Sequence, residues 1–294
     1  MNVKTHSAPV RIGIIGGSGL YKMEGLSNVK RRSIGTPFGE PSDDVLVGAI
    51  DGVPVAFLAR HGRGHRLTPT EVNYRANIFA LKSLGVEQVI SVSACGSLRE
   101  TLRPGDIVIP DQLFDFTKQR DYSFFGDGLV AHIGTAQPFC PLLSLLLGDV
   151  VQAAGGTVHR NRRFITIEGP RFSTKGESFT YRSWGMDIIG MTTSPETFLA
   201  REAEMCYAVM AHVTDYDVWH ETEEEVSVEA VVRILQQNTA LAQQALRDLV
   251  PKLDGAQRDC GCSEALANAI LTNPDVIPEE TKEKLGPIVD KYFE

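Results

Sequence analysis

The chain has 294 residues, 43% of them hydrophobic and 22% charged, with a formal net charge of −8. That composition excludes a disordered or fibrous chain and gives enough length for one large domain or two ordinary ones. The acidic balance excludes non-specific binding to nucleic acid or anionic membranes, which needs a basic face. No run approaches the roughly 18 apolar residues of a membrane span. The opening MNVKTHSAPV lacks the apolar centre of a signal peptide, so the expected location is the cytoplasm.

The first strand is expected at RIGIIG, residues 11–16, and runs into GGSGLY. Gly13, Gly16, Gly17 and Gly19 do not have the G-x-G-x-x-G spacing, and no G-x-x-x-x-G-K-[ST] occurs. The segment reads either as a bare turn or as a nest of backbone amides with Ser18 donating to an anion. Further strands are expected at DVLVGAI (44–50) and VPVAFLAR (53–60). The second enters LARHGRGHR, where Arg60 and His61 stay near the strand tip. This is either a solvated loop or a phosphate donor set, with a planar guanidinium fork and a second bond donated by the histidine.

EVNYRANIFALKSLG (71–85) has helical period and a glycine stop. Strands follow at 87–96, ending in Ser93, Ala94 and Gly96, and at 105–112. LLSLLLGDVVQAAGG (142–156) is a second helix, and RFITIEG (163–169) a strand that leads to Glu168, Arg171 and Phe172. Packing of Phe172 into the core is the default, and stacking on a planar heterocycle the alternative. After the strand at 186–191, Ser194 suits an N-cap and Pro195 the first helical position, which leaves Thr192 for a ligand.

The strand CYAVMAHVTD (206–215) ends in Asp215, with Asp217 two residues on. If the strand continues, both carboxylates share one face; if the chain bends, Asp215 alone points there. A long helix, 227–250, opens at Ser227, closes before Pro251, and carries Val228, Val231 and Val232 on one apolar face. The stretch 251–263 reads as a loop into a helical C-terminal extension. Cys95, Cys140 and Cys206 suit small buried hydrophobes, whereas Cys260 and Cys262 form a C-x-C step with no partner motif for zinc. For that pair a solvated tail with free thiols and a strained local disulfide both stand.

Val- and Ile-rich runs alternating with helical segments predict an α/β fold: a single domain with a mixed central β-sheet flanked by helices. Residues 10–252 form the expected domain and 253–294 its extension. Strand after strand ends in small or polar groups, and in open α/β sheets ligands gather at the strands' carboxyl ends. Ser18, Arg60, His61, Ser93 and Thr192 would make one phosphate-sized donor set.

Together, GIIGGSGL, TPFGEPSD, LARHGRGH, VNYRANIFALK, SACGSLRE, PGDIVIPDQ, AQPFCP, TIEGPRFST, MTTSPE and TDYDVW resemble, in this order, the purine nucleoside phosphorylase family and its methylthioadenosine phosphorylase branch. The resemblance covers most of the chain. It implies a homotrimer, or a dimer of trimers, that splits S-methyl-5′-thioadenosine with orthophosphate into adenine and 5-methylthioribose 1-phosphate. It implies no metal and no organic cofactor. Ser18, Arg60, His61, Ser93 and Thr192 would bind phosphate, with Ala94 as a backbone contact. Met191 would lie against the ribose, Phe172 beside the purine, and Asp215 and Asp217 would face the base, Asp215 as the acid. Val228, Val231 and Val232 would line the methylthio pocket, and His132 would reach it from a neighbouring subunit. An aspartate suits a 6-amino purine, since it accepts from the amino group. A broader enzyme taking adenosine, inosine or methylthioinosine is the alternative, and a nucleoside hydrolase or a dinucleotide-binding protein stands further off.

Overall fold

The computed structural model describes residues 9–17, 25–220 and 228–293. A mixed sheet of 11 strands organises them. Its axis is β5 (Gln88–Ser97), ten residues long. One edge of β5 carries β1 (Ile12–Gly16), parallel over residues 88–91, and then β10 (Ile188–Gly190), antiparallel at Gly96 and Ser97. The other edge carries β11 (Cys206–Asp215) in parallel along nearly its whole length. β4 (Val53–Ala59), β3 (Val45–Ile50) and β2 (Leu26–Arg32) extend the sheet beyond β1. β9 (Arg163–Ile167) and β7 (Gln112–Phe116) extend it beyond β10, while β6 (Ile107–Ile109) and β8 (Val158–Arg160) continue from β11. A sheet that branches around one strand brings the tips of β4, β5, β10 and β11 together.

Side-chain alternation along β11 divides the core. Cys206, Ala208 and Met210 face a cluster shared with α2 (Pro141–Ala153) and α5 (Val228–Leu253). Tyr207, Val209, Ala211 and Val213 face the cluster shared with α1 (Tyr74–Ser83) and α4 (Thr193–Glu202). A period of two on a strand buried on both faces produces this split. A third cluster, around Ile165, Tyr181, Ile189 and Trp219, holds α3 (Lys175–Ser183).

Several elements depart from the sequence reading. The strand expected at 105–112 is two strands, β6 and β7, because Pro110 lacks the N–H that a continuing ladder requires. β2 was not expected: its LSNVKRR is charged and almost wholly exposed, as befits an edge strand that resists further pairing. α3 is polar, but its Thr174–Glu177 capping box marks its start. α5 does not stop before Pro251; it continues to Leu253, since so near its end a proline forgoes only one backbone bond. Its expected cap, Ser227, lies outside the described residues. The helix at 193–202 is kinked at Ser194, whose extended backbone (φ −100°, ψ 137°) just before Pro195 is that of an N-cap, although its hydroxyl makes no hydrogen bond among the described residues. The C-terminal segment is built mainly of short 3-10 turns around α6 (Glu279–Leu285), and Leu266, Ile277, Leu285 and Ile288 join the core.

Leu246 of α5 is fully buried, whereas Lys252 is exposed on the same helix. Leu246→Ala should lower unfolding stability in urea by about 2–5 kcal/mol. Lys252→Ala should stay within about 0.5 kcal/mol of the parent, and equal losses for the two would contradict the docking of α5.

Candidate active site

Arg60 leaves the end of β4 and turns inward, 2% exposed. Its Nε and Nη2 donate to the two oxygens of Glu196, at 2.8 and 2.9 Å. Nη2 also donates to Ser91 Oγ and Nη1 to Val92 O, both on β5. The Tyr207 hydroxyl donates to Glu196 Oε1 at 2.7 Å. Burial opposes the Arg60 charge, but the Glu196 carboxylate outweighs it and raises the guanidinium above its ordinary range. Of the five guanidinium N–H groups, four are engaged within the protein, which leaves one on Nη1. The fork expected to face phosphate is therefore closed on Glu196, and what Arg60 offers a ligand is its charge and one N–H.

His61 Nδ1 lies 2.9 Å from Leu67 O, an acceptor only, so Nδ1 carries the proton. Burial, then the adjacent Arg60 charge, push the ring down to about 4. His65 stacks on it at 4.3 Å between centroids. At neutral pH the second ring nitrogen is thus an acceptor, where a donor was expected.

Ser93 and Ala94 lie opposite Ala211 and His212 of β11, and the Ser93 hydroxyl is buried without a hydrogen-bond partner among the described residues. Gly190, at the end of β10, comes close enough that an added Cβ would sit 3.4 Å from Ala94 O, and Thr192 follows it, 8% exposed. Met191 packs against the third cluster beside Gly169. The tips of β4, β5 and β10 thereby bring together the candidates on Arg60, Ser93, Ala94, Met191 and Thr192. Ser18 lies outside the described residues.

β11 ends at Asp215 after a register shift, and Asp217 turns into the left-handed region at φ 51°. The chain has bent, so the two carboxyls do not share a strand face. Asp215 Oδ1 accepts from Asp217 N at 2.8 Å, and Oδ2 lies 2.6 Å from Thr214 Oγ1. Thr214 has one hydroxyl proton and a second neighbour, Cys95 O at 3.2 Å, which can only accept. The shorter contact is the bond in which Thr214 donates to Oδ2, and it favours the carboxylate. Burial chiefly pushes the Asp215 carboxyl up to about 6, against the Thr214 and Asp217 bonds and with help from the Asp217 charge. Burial also raises Asp217, whose Oδ2 has no bonded partner among the described residues, although the Ser178 and Ser173 hydroxyls are near enough to act electrostatically in the other direction.

Gly96 is what lets this corner close. A Cβ there would lie 2.9 Å from Asp215 Oδ1 and 3.1 Å from Ile189 Cγ2. Neither Gly96 nor Glu196 was assigned a role from sequence; the carboxylate in MTTSPE, in an otherwise neutral motif beside a cationic one, was the available signal.

Phe172 is 39% exposed, so its expected core packing is not found. Val228 and Val232 are also exposed, and Val231 is partly so. The apolar start of α5 is therefore unpacked against the chain's own sheet. His132 is exposed on a loop tied to the C-terminal segment by His132 N to Ala269 O, not to the strand tips by any described contact. A polar hollow beside Thr70, Arg75, Lys118 and Arg120 stands apart; there Glu168 is bonded to Thr70, Arg120 and two backbone amides and acts as a brace.

The model of the phosphorylase superfamily matches residues 11–251. The chain is 55% identical to the S-methyl-5′-thioadenosine phosphorylase of Geobacter sulfurreducens over 96% of its length and 98% of that protein's. It is 53% identical to the enzyme of the same name from Koribacter versatilis, over 96% of each. Among solved structures, a methylthioadenosine phosphorylase from an Antarctic soil metagenomic library superposes with a TM-score of 0.92 at 49% identity, over 96% of this chain and 99% of that one. Methylthioadenosine phosphorylase from Schistosoma mansoni in complex with adenine gives 0.82 at 37%, over 88% and 96%.

Glu196→Ala should lower stability by about 3–5 kcal/mol, because it leaves the Arg60 charge buried and unpaired. Chemical denaturation checks this, and a loss below about 1 kcal/mol would mean that the ion pair is not the anchor described.

Proposed function

The chain belongs to the phosphorylase superfamily, and on that premise we propose that it cleaves S-methyl-5′-thioadenosine with orthophosphate to adenine and 5-methylthio-α-D-ribose 1-phosphate. The C1′–N9 bond breaks, a phosphate oxygen bonds to C1′, and the purine leaves with a proton. Positive charge builds on the sugar, as in glycoside cleavage, and negative charge on the base. The catalyst must therefore hold an anion below the sugar and a proton above the purine.

The observation that carries this reading is Asp215: a carboxyl at a strand tip that burial pushes toward its neutral form. In its acid form it carries the proton that purine N7 would take, and positioned acids of this kind contribute roughly 10² to 10⁴-fold. Its other carboxyl oxygen accepts from a 6-amino group, which favours adenine over 6-oxopurines. Asp217 acts from slightly further off. Phosphate is held by the Arg60 charge, the unbonded Ser93 hydroxyl, Thr192, His61, Ser18 and the Ala94 backbone. His61, neutral at Nε2, suits the protonated oxygen of HPO₄²⁻. Met191 lies against the ribose, and exposed Phe172 is available to stack on the purine.

The exposure of Val228, Val232 and His132 supports a homotrimer, or a dimer of trimers, in which His132 of one subunit completes the methylthio pocket of the next. Residues 10–252 are the phosphorylase domain, and 253–294 extend it. The reacting bond needs no metal or organic cofactor. The enzyme would work in the cytoplasm, returning adenine to purine salvage and the methylthio sugar phosphate to methionine salvage.

Adenine release from methylthioadenosine, adenosine and inosine analogues, followed with and without phosphate, tests the proposal. Methylthioadenosine should be the preferred substrate and cleavage should stop without phosphate; continued cleavage would indicate a hydrolase. Because the acid form of Asp215 is required and its free-enzyme value is about 6, kcat/KM at saturating phosphate dianion should fall as pH rises through that value. Asp215→Asn should remove this limb and move the preference between methylthioadenosine and methylthioinosine by about tenfold or more toward the 6-oxo substrate. An unchanged pH profile and preference would remove Asp215 from the mechanism.

A further inference from the structure

Neither of the two readings of Cys260 and Cys262, a solvated tail or a local disulfide, is what the fold contains. Cys262 is 1% exposed, and the Sγ atoms of Cys140, Cys206, Cys260 and Cys262 all lie within 4.8 Å of one another. Cys206 and Cys260 approach to 3.4 Å, and all four are free thiols. They come from three separate places: the N-cap of α2, the first residue of β11, and the turn beyond α5. Gly261, at φ 66°, occupies the left-handed region that favours glycine between the last two.

From this geometry we propose that the four cysteines form a structural zinc site that clamps the C-terminal segment to the sheet. Zinc takes four thiolates tetrahedrally at about 2.3 Å, which sets neighbouring sulfurs about 3.8 Å apart, close to the spread found here. A buried set of four thiols selects a soft tetrahedral ion over magnesium or calcium. The surroundings suit thiolates. Arg201 Nη1 donates to Cys262 Sγ at 3.2 Å, and Leu143 N, in the first turn of α2, donates to Cys140 Sγ at 3.5 Å. A guanidinium and a helix N-terminus offset the double negative charge of a zinc tetrathiolate. Binding releases the thiol protons to solvent.

The site is remote from the chemistry. Cys206 begins β11 and Asp215 ends it, so at about 3.3 Å per residue the two are roughly 30 Å apart. With four protein ligands no position is open to substrate, so the ion holds structure and does not react. The clamp closes residues 260–262 onto α2 and β11, and through them the turn carrying Leu266 and Ala269 onto the core.

Full-length protein purified anaerobically with a non-thiol reductant, loaded with zinc and dialysed, should retain about one zinc per chain. Cobalt in place of zinc should give the intense visible bands of a tetrahedral thiolate complex, a readout that needs no variant. Cys260→Ser combined with Cys262→Ser should cut zinc retention at least about tenfold and lower Tm, while cleavage of methylthioadenosine by the folded fraction persists. Zinc retention equal to that of the double variant, octahedral cobalt spectra, or an anaerobic intact mass lighter by the hydrogens of one or two disulfides would each overturn the proposal.

Discussion

The buried pair between Arg60 and Glu196 is the interaction on which the site depends. It joins the end of β4 to α4, and through Ser91, Val92 and Tyr207 it reaches β5 and β11. Burying two charges costs several kcal/mol each, so such a pair persists only where geometry and further bonds compensate. Here both carboxylate oxygens and most of the guanidinium are bonded. The result is a fixed guanidinium, paired with a carboxylate, under the strand tips that cannot swing to meet a ligand. Burial chiefly, and the Arg60 charge after it, keep His61, the next residue, neutral.

The acid end of the site is set by close approach instead of charge pairing. β5 can lie against Asp215 only because Gly96 has no Cβ. The register shift between Val213 and Asp215 turns the carboxyl toward Thr214 and the Asp217 amide. Burial there favours the neutral form, whereas the Arg60 site favours an anion. Two strand tips with opposite preferences, positive at one and protonated at the other, are what cleavage of a nucleoside by phosphate requires.

How much of this was legible in the sequence follows from range. β1, β4, β5 and β11 are largely buried on both faces and are read directly, as are the polar residues that end them. β2 was invisible because an exposed edge strand carries charge where a buried one carries valine. The bend after Asp215 depends on pairing with β5, which local pattern does not encode. The closed fork of Arg60 follows from Glu196, 136 residues away. The cysteine cluster is hidden for the same reason: Cys206 and Cys260 are 54 residues apart, and only the C-x-C step is local. Phe172 was read by its hydrophobicity, whereas its exposure follows from the loop before α3.

The account's central claim is that phosphate itself attacks the sugar while a carboxyl protonates the base. The direct measurement is single-turnover cleavage of methylthioadenosine in phosphate labelled with ¹⁸O, with the sugar product analysed by mass spectrometry. The account predicts a 5-methylthioribose 1-phosphate whose bridging oxygen carries the label. An unlabelled free sugar, its new oxygen taken from water, would contradict it.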